Sequence, residues 1–199
     1  GEQLGTRRVA PFDRRMATLG RRVLSWESNN VMQMRDLWAD KTLWSFDFAT
    51  GSKAALVSQD AVGVMRPDGV FTLVSLADGK QLAREQLEPE AQLLGIYLLR
   101  SQFGYVLATN TQSRNEPNVS IQPLPVSPSS PPISGRLYAF DRQSGKKLWP
   151  APVEVSQYGL LLTQPCNLPG LVLARQVHRL NPTTAREPKI SVMCIDKRS

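Results

Sequence analysis

The chain is poor in the residues that build reactive centres. Its 199 residues include two cysteines and one histidine. Cys166 and Cys194 lack the close spacing of zinc or redox pairs, and His178 alone cannot complete a metal site with them. The two thiols are therefore expected to be buried or half-buried. A disulfide between them would need Cα atoms within about 7 Å. His178 sits beside Arg179 with no Ser, Cys or carboxylate placed with it, which argues against a general base and for an exposed strand end. Long apolar runs are missing as well. None approaches the ~20 residues that span a bilayer, and the opening "GEQLGTRRVAPFDRR" has no apolar core, so no signal peptide is expected. Lys and Arg outnumber Asp and Glu by 24 to 17, giving a net charge of +7. The basic residues come as scattered pairs, Arg7-Arg8, Arg14-Arg15, Arg21-Arg22 and Lys146-Lys147, not as a stripe interleaved with aromatics. This reads as a solvated basic surface without nucleic acid. A polyanion-binding module is the alternative, and it would weaken steeply with salt.

What the chain has instead is a repeat. Asp141-Arg-Gln-Ser-Gly145-Lys146-Lys-Leu148-Trp149 aligns without a gap on Asp36-Leu-Trp-Ala-Asp40-Lys41-Thr-Leu43-Trp44. It also aligns on Ser75-Leu-Ala-Asp-Gly79-Lys80-Gln-Leu82-Ala83, and a fourth copy opens at Asp196. The copies start 39, 66 and 55 residues apart. A unit of about forty residues with insertions has the size of a four-stranded propeller blade. The longest excess is 110–134, "NTQSRNEPNVSIQPLPVSPSSPPIS", whose Pro, Ser and Asn content speaks against regular structure. A second excess lies at 181–189.

The repeated unit has the chemistry of a hairpin. Asp ends one strand and accepts hydrogen bonds from turn N–H groups. Gly79 and Gly145 supply positive φ. Lys41, Lys80 and Lys146 open an outer strand whose charge discourages edge pairing. Leu43, Trp44 and Trp149 then pack against the neighbouring unit. A β-rich run precedes each turn: "VMQMR", "VFTLV", "RLYAF" and "ISVMC". The remaining strands read "RRMATLG", "RRVLSWES" and "KTLWSFDF" in the first unit and "KAALVSQ", "AVGVMRP" and "KQLAREQ" in the second. The third reads "LLGIYLLRS", "GYVLATN" and "KKLWPAP". The fourth reads "GLLLTQP" and "LVLARQV", and lacks a last strand. Helical periodicity is weak. Its best case, 88–102, opens with the charge a helix N-terminus favours, but "IYLL" and the repeat register favour a strand.

The third copy resembles the repeats of the pyrroloquinoline-quinone-like β-propeller superfamily, whose blades end in a pattern like Gly-x-Leu-Tyr-Ala-x-Asp-x-x-Thr-Gly-Lys-x-x-Trp. Gly135, Leu137, Tyr138, Ala139, Asp141, Gly145, Lys146 and Trp149 match it. The first copy has Asp40 in place of Gly, and the second has Ser75 for Asp and Ala83 for Trp. The resemblance implies an all-β propeller of about four visible blades, the last incomplete. They fall at 13–50, 51–89, 90–154 with the 110–134 insertion, and 155–199, after an arm at 1–12. It further implies an extracytoplasmic bacterial protein, periplasmic or membrane-associated. Enzymes of the family hold the quinone and calcium under an adjacent-cysteine disulfide, and this sequence has no Cys-Cys pair. No catalytic, cofactor or metal residue carries over, and no cofactor is expected.

Asp36 and Asp141 are read as turn residues, and Trp44 and Trp149 as packing residues, because each recurs. Trp26 and Glu27 are unique to the first unit. Asn118-Val119-Ser120 is a formal glycosylation acceptor. The 110–134 insertion is the best interaction element, since long loops on rigid scaffolds carry binding. The expected function is a non-enzymatic interaction scaffold, cut from a larger propeller. Its partners are a protein, the remaining blades, or a second copy as a homodimer. The alternative is part of a quinone-dependent dehydrogenase whose cofactor residues lie elsewhere.

Overall fold

The computed structural model describes residues 6, 8, 11–90, 92–113, 119–125, 130–179 and 188–198. Among them every regular element is a β-strand, and every paired neighbour is antiparallel. The first sheet is a meander of β1 (Arg14–Leu19), β2 (Arg22–Trp26), β3 (Val31–Asp36) and β4 (Lys41–Asp47). The second repeats it with β5 (Lys53–Val57), β6 (Ala61–Met65), β7 (Val70–Ser75) and β8 (Gln81–Gln86). Short loops between alternating apolar strands leave hairpins as the natural connection.

The rest of the chain forms one branched sheet. It contains β9 (Leu93–Arg100), β10 (Gly104–Thr111), β11 (Val119–Leu124), β12 (Pro132–Asp141), β13 (Val153–Leu160), β14 (Gly170–Arg179) and β15 (Lys189–Asp196). Its order is β11-β14-β13-β12-β10-β9, with β15 on the other edge of β14.

Three expectations are corrected here. The outer strand at "KKLWPAP" does not form: only a single bridge joins Lys147 to Phe140. Pro150 and Pro152 have no N–H to give a ladder and fix φ. The open half of β12 is taken by β13 instead, in the register Leu137↔Val153 to Pro132↔Gly159. The expected strand at "GLLLTQP" is displaced to Val153–Leu160 for the same reason. The insertion is partly regular too. Residues 119–124 form β11, which pairs with β14 from Val119↔Arg179 to Leu124↔Ala174. β13 reaches β14 only at Gly159↔Ala174 and Leu160↔Leu173, so the far end of this ten-residue strand would otherwise leave its N–H and C=O groups unpaired on that edge. Pro123 is tolerated because β11 is an edge strand. Gly159 makes the crossing possible: a Cβ there would stand 2.2 Å from the carbonyl oxygen of Leu124. Asn118 lies outside the described residues.

Sheets pack face to face in chain order. Leu24, Met32 and Met34 of the first meet Val62, Val64, Val74 and Leu76 of the second. The opposite face of the second, with Ala61, Met65, Phe71 and Leu73, meets Ile96, Leu98, Tyr105, Leu107, Tyr138 and Phe140. Phe71 stacks on Phe140 at 4.9 Å. Beyond that layer Leu99, Val106, Ala108, Leu137 and Ala139 meet Val155, Tyr158, Leu171 and Leu173. Each inner sheet is thus apolar on both faces, and the core is a series of layers between sheets.

Candidate functional site

The repeated hairpins share one backbone. Asp40, Gly79 and Gly145 occupy the aligned turn position, with φ of 53°, 75° and 69°. In the second hairpin Gly79 N–H donates to Ser75 O at 3.0 Å and Ser75 N–H to Lys80 O at 2.9 Å. In the third, Gly145 N–H donates to Asp141 O at 3.0 Å and Asp141 N–H to Lys146 O at 2.8 Å. The leading aspartates close the turns. Asp36 Oδ1 accepts the N–H groups of Trp38 and Ala39, both at 3.0 Å. Asp141 Oδ1 accepts those of Gln143 and Ser144 at 3.1 and 2.7 Å. These bonds favour the ionised carboxylates, so both aspartates titrate below their usual 3.8, chiefly through the N–H of Ala39 and of Ser144. Where Ser75 replaces Asp, Asp78 supplies the carboxylate and accepts the Lys80 N–H at 3.1 Å. Asp196 accepts the Arg198 N–H at 2.9 Å, and bonding to the Arg198 guanidinium draws its pKa down to about 2.

The outer-strand residue of one sheet sits on the turn of the next. Trp44, on β4, lies over Gly79, where a Cβ would stand 2.5 Å from the indole Cγ. Ala83, its aligned counterpart on β8, lies under Gly145, where a Cβ would stand 2.3 Å from Leu82 O. Trp149 follows its turn without a strand and is buried beside Leu171, Leu173, Met193 and Ile195. Lys41, Lys80 and Lys146 are exposed, and Leu43, expected to bury against the neighbouring unit, is instead 37% exposed.

A polar clasp centres on Arg136, which the spacing of residues gave no means to find. Its guanidinium meets Glu88 at 2.9 Å, Glu90 at 3.0 Å and Glu154 at 3.8 Å. Its N–H donates to Thr109 Oγ1 at 2.8 Å. Burial opposes the charge, but the Glu90 and Glu88 carboxylates outweigh it and hold the guanidinium ionised. Glu90, Thr111, Ser134, Arg136, Glu154 and Ser156 line a cleft of about 360 Å³ beside it. Glu88 and Glu90 lie on the link between β8 and β9 and Glu154 lies on β13, so the arrangement ties segment 88–90 to β12 and β13.

Trp26 and Glu27 belong to the outer end of the stack. Trp26 stacks on Phe48 at 5.7 Å. Glu27 accepts from Ser25, from Gln33 at 2.9 Å and from the Asp13 N–H at 3.1 Å. His178 is half-buried on β14 opposite Ser120. Both cysteines are free and exposed, contrary to expectation. Cys194 takes a position on β15 that no described sheet covers.

That uncovered face is the other feature that spacing left unmarked. Ile190 and Val192 on β15 are 67% and 62% exposed, and Val172 and Leu168 are 42% exposed. Beside them Leu124, Gly159, Leu161, Leu168, Val172 and Ala174 line an apolar groove of about 220 Å³.

No family model matches the chain. No curated protein matches it either. Among solved structures it is similar to BamB from Moraxella catarrhalis, with 13% identity and a TM-score of 0.46 over 92% of this chain and 48% of that one. The chain thus spans about half the length of BamB. The computationally designed Ika4 protein gives 11% identity and a TM-score of 0.49, over 96% of this chain and 99% of that one. A complex of KlAtg21 with the coiled coil of AgAtg16 gives 10% identity and a TM-score of 0.41, over 85% and 52%. Among the described residues, no helix is long and apolar enough to cross a membrane.

Proposed function

We propose that the chain is a run of β-propeller blades serving as a protein-interaction scaffold. The packing of Trp44 on Gly79 and of Ala83 on Gly145 supports successive sheets related by one repeated step, which is how blades stack. The observation that carries the scaffold role is the apolar face of Val172, Ile190 and Val192. Contiguous exposed apolar surface of this kind marks a protein contact. Turn aspartates and the Arg136 clasp serve the framework under this reading.

A photo-crosslinking residue placed at Ile190 in the producing cell tests it. A discrete adduct is expected from Ile190 and none from Ser45, an exposed position on the first sheet. No adduct from Ile190, or equal adducts from both sites, overturns the proposal.

A further inference from the structure

Basic residues that are scattered along the sequence are gathered at one end of the sheets. In an antiparallel meander the first and third connections lie at the same end. Arg21 and Arg22 sit at the first connection of the first sheet, and Lys41 closes its third. Lys80 closes the third connection of the second sheet. In the large sheet Arg100 enters the β9–β10 turn, and Arg142, Lys146 and Lys147 follow β12. Contacts between sheets place these ends side by side. An Arg22 N–H donates to the Ala77 carbonyl at 3.2 Å. Arg100 pairs with Asp60, and Gly145 lies against Leu82 and Ala83 of β8.

The two ends of these sheets differ in sign. At the turn end the eight basic residues stand with five aspartates, Asp36, Asp40, Asp60, Asp78 and Asp141. Each of those carboxylates is held. Asp36 takes Arg21 at 2.7 Å, Asp40 takes Arg35 at 3.2 Å, and Asp60 takes Arg100. Asp78 and Asp141 accept turn N–H groups. Lys41, Lys80, Arg142, Lys146 and Lys147 are exposed. At the opposite end, the described connections of the same sheets and their flanking residues carry Glu27, Asp47, Asp68, Glu88 and Glu90. Lys53 and Arg66 are the basic residues there, and Arg136 with Glu154 leaves the balance unchanged. An anionic surface therefore draws in the turn end and repels the other.

The chemistry of the turn end selects the surface. Trp38 stands at the tip of the first turn and is 54% exposed. The turn does not require it, because Ala77 and Gln143 take the aligned place in the other two. An indole has an apolar body and a polar N–H, and the headgroup layer of a bilayer accommodates both. The cations belong to three sheets, and packed sheets lie about 10 Å apart. One small anion cannot reach them all, whereas a lipid surface meets every turn tip at once. Single-stranded nucleic acid would need several aromatics for its bases to stack on, and Trp38 is the one exposed aromatic among the described residues.

We infer that this row of turns docks on an anionic phospholipid surface, with the lysines and arginines at the headgroups and Trp38 in the interfacial layer. The inference does not rest on the scaffold reading, which uses the face of Val172 and Ile190. Sheets of this kind stack through their faces, so a sheet added at either end lengthens the row of turns and leaves the tips open. Attraction of this type is screened within a Debye length, so added salt should release the chain.

Cosedimentation of the chain with vesicles tests this. One set is an equal mixture of phosphatidylcholine and phosphatidylglycerol, and the other is phosphatidylcholine alone. The variants are K80E joined with K146E, W38S, and K53E from the opposite end. Circular dichroism checks their folding, and K41Q joined with K147Q replaces the first pair if that pair does not fold. The chain should bind the mixed vesicles and not the neutral ones. K80E with K146E should weaken binding at least about tenfold. W38S should weaken it several-fold, and K53E should leave it unchanged. No binding to the mixed vesicles, or equal binding to both sets, overturns the inference. Equal weakening by K53E and by the turn-end pair shows net charge alone at work and overturns the docking face. A short duplex DNA bound as tightly as the vesicles, with W38S no weaker than the unaltered chain, makes the turn end a general polyanion site and overturns the lipid assignment.

Discussion

The second sheet and the third begin alike and end differently. β5, β6 and β7 are matched by β9, β10 and β12, and both sets run into the same turn, at Gly79 and at Gly145. After Lys80 the chain continues as "QLAREQ" and completes a four-stranded sheet. After Lys146 it continues as "KLWPAP" and makes one bridge. The turn motif therefore fixes the hairpin, while the backbone donors after it decide whether an outer strand follows. Two prolines are enough to pass half of β12 to β13 and to merge the third and fourth units into one sheet. Trp149 keeps its burial without the strand, in one apolar cluster with Leu171, Leu173, Val155 and Tyr158.

The largest expected effect compares two aligned positions. Phe71 is fully buried and stacked on Phe140 between the second and third layers. Phe71→Ala should lose about 3–5 kcal/mol, the usual cost of a large core truncation. Val192→Ala, at the matching place on β15, should cost no more than about 0.5 kcal/mol at concentrations where the chain is monomeric. Urea unfolding of both variants at low protein concentration measures the difference. Equal losses would mean that Val192 is already covered within one chain, and the contrast between the two sheets would collapse.

A smaller effect separates the two turn glycines. Both have positive φ, so alanine at either should cost about 1–2 kcal/mol in backbone strain. The obstacles differ. At Gly79 the new methyl meets Cγ and Cβ of Trp44 at 2.5 and 2.7 Å, so the indole must shift from its root; at Gly145 it meets the Leu82 carbonyl oxygen at 2.3 Å, the backbone of β8 itself. Gly145→Ala should therefore be the worse by about 1 kcal/mol or more, as for overpacking. Thermal denaturation decides the order, and a greater loss from Gly79→Ala would show that the indole is the stiffer neighbour.

Strands were legible wherever period-two alternation ran up to a turn signal. β1 to β10, the second half of β12, β14 and β15 carry that signature in "VMQMRD", "AVGVM" and "KISVMCID". The failures have a common cause. At "KKLWPAP" the repeat motif predicts a strand that the missing N–H groups of Pro150 and Pro152 prevent. At 119–124 the Pro and Ser content of the insertion hid a six-residue strand, which exists because β14 has an edge to fill. The Arg136 clasp joins residues 46 positions apart, and no local pattern announces it. Exposure of Cys194 was equally hidden, since its apolar neighbours read as core until the layers are assembled.

The smallest expected effect concerns acid and compares the turns once more. Asp36, Asp78, Asp141 and Asp196 are all held below the usual 3.8, Asp196 at about 2. A carboxyl whose pKa is lower in the folded chain than in the unfolded one binds its proton more readily after unfolding. Its contribution is whole above about pH 4 and fades as pH falls through the folded value. For Asp141 the responsible donors are the N–H groups of Ser144 and Gln143 and the Ser144 hydroxyl. Asp141→Asn keeps the acceptor oxygen and removes the charge. Its urea midpoint should differ from that of the unaltered chain at pH 7, and the gap should narrow as pH falls below about 4, because the native carboxyl then loses its charge as well. A gap that stays constant from pH 7 to pH 2 would show that the carboxylate contributes shape and not charge to the turn. The same series at Asp78 then tells whether the Ser75 hairpin has moved that charge three residues along the chain, as its hydrogen bond to Lys80 indicates.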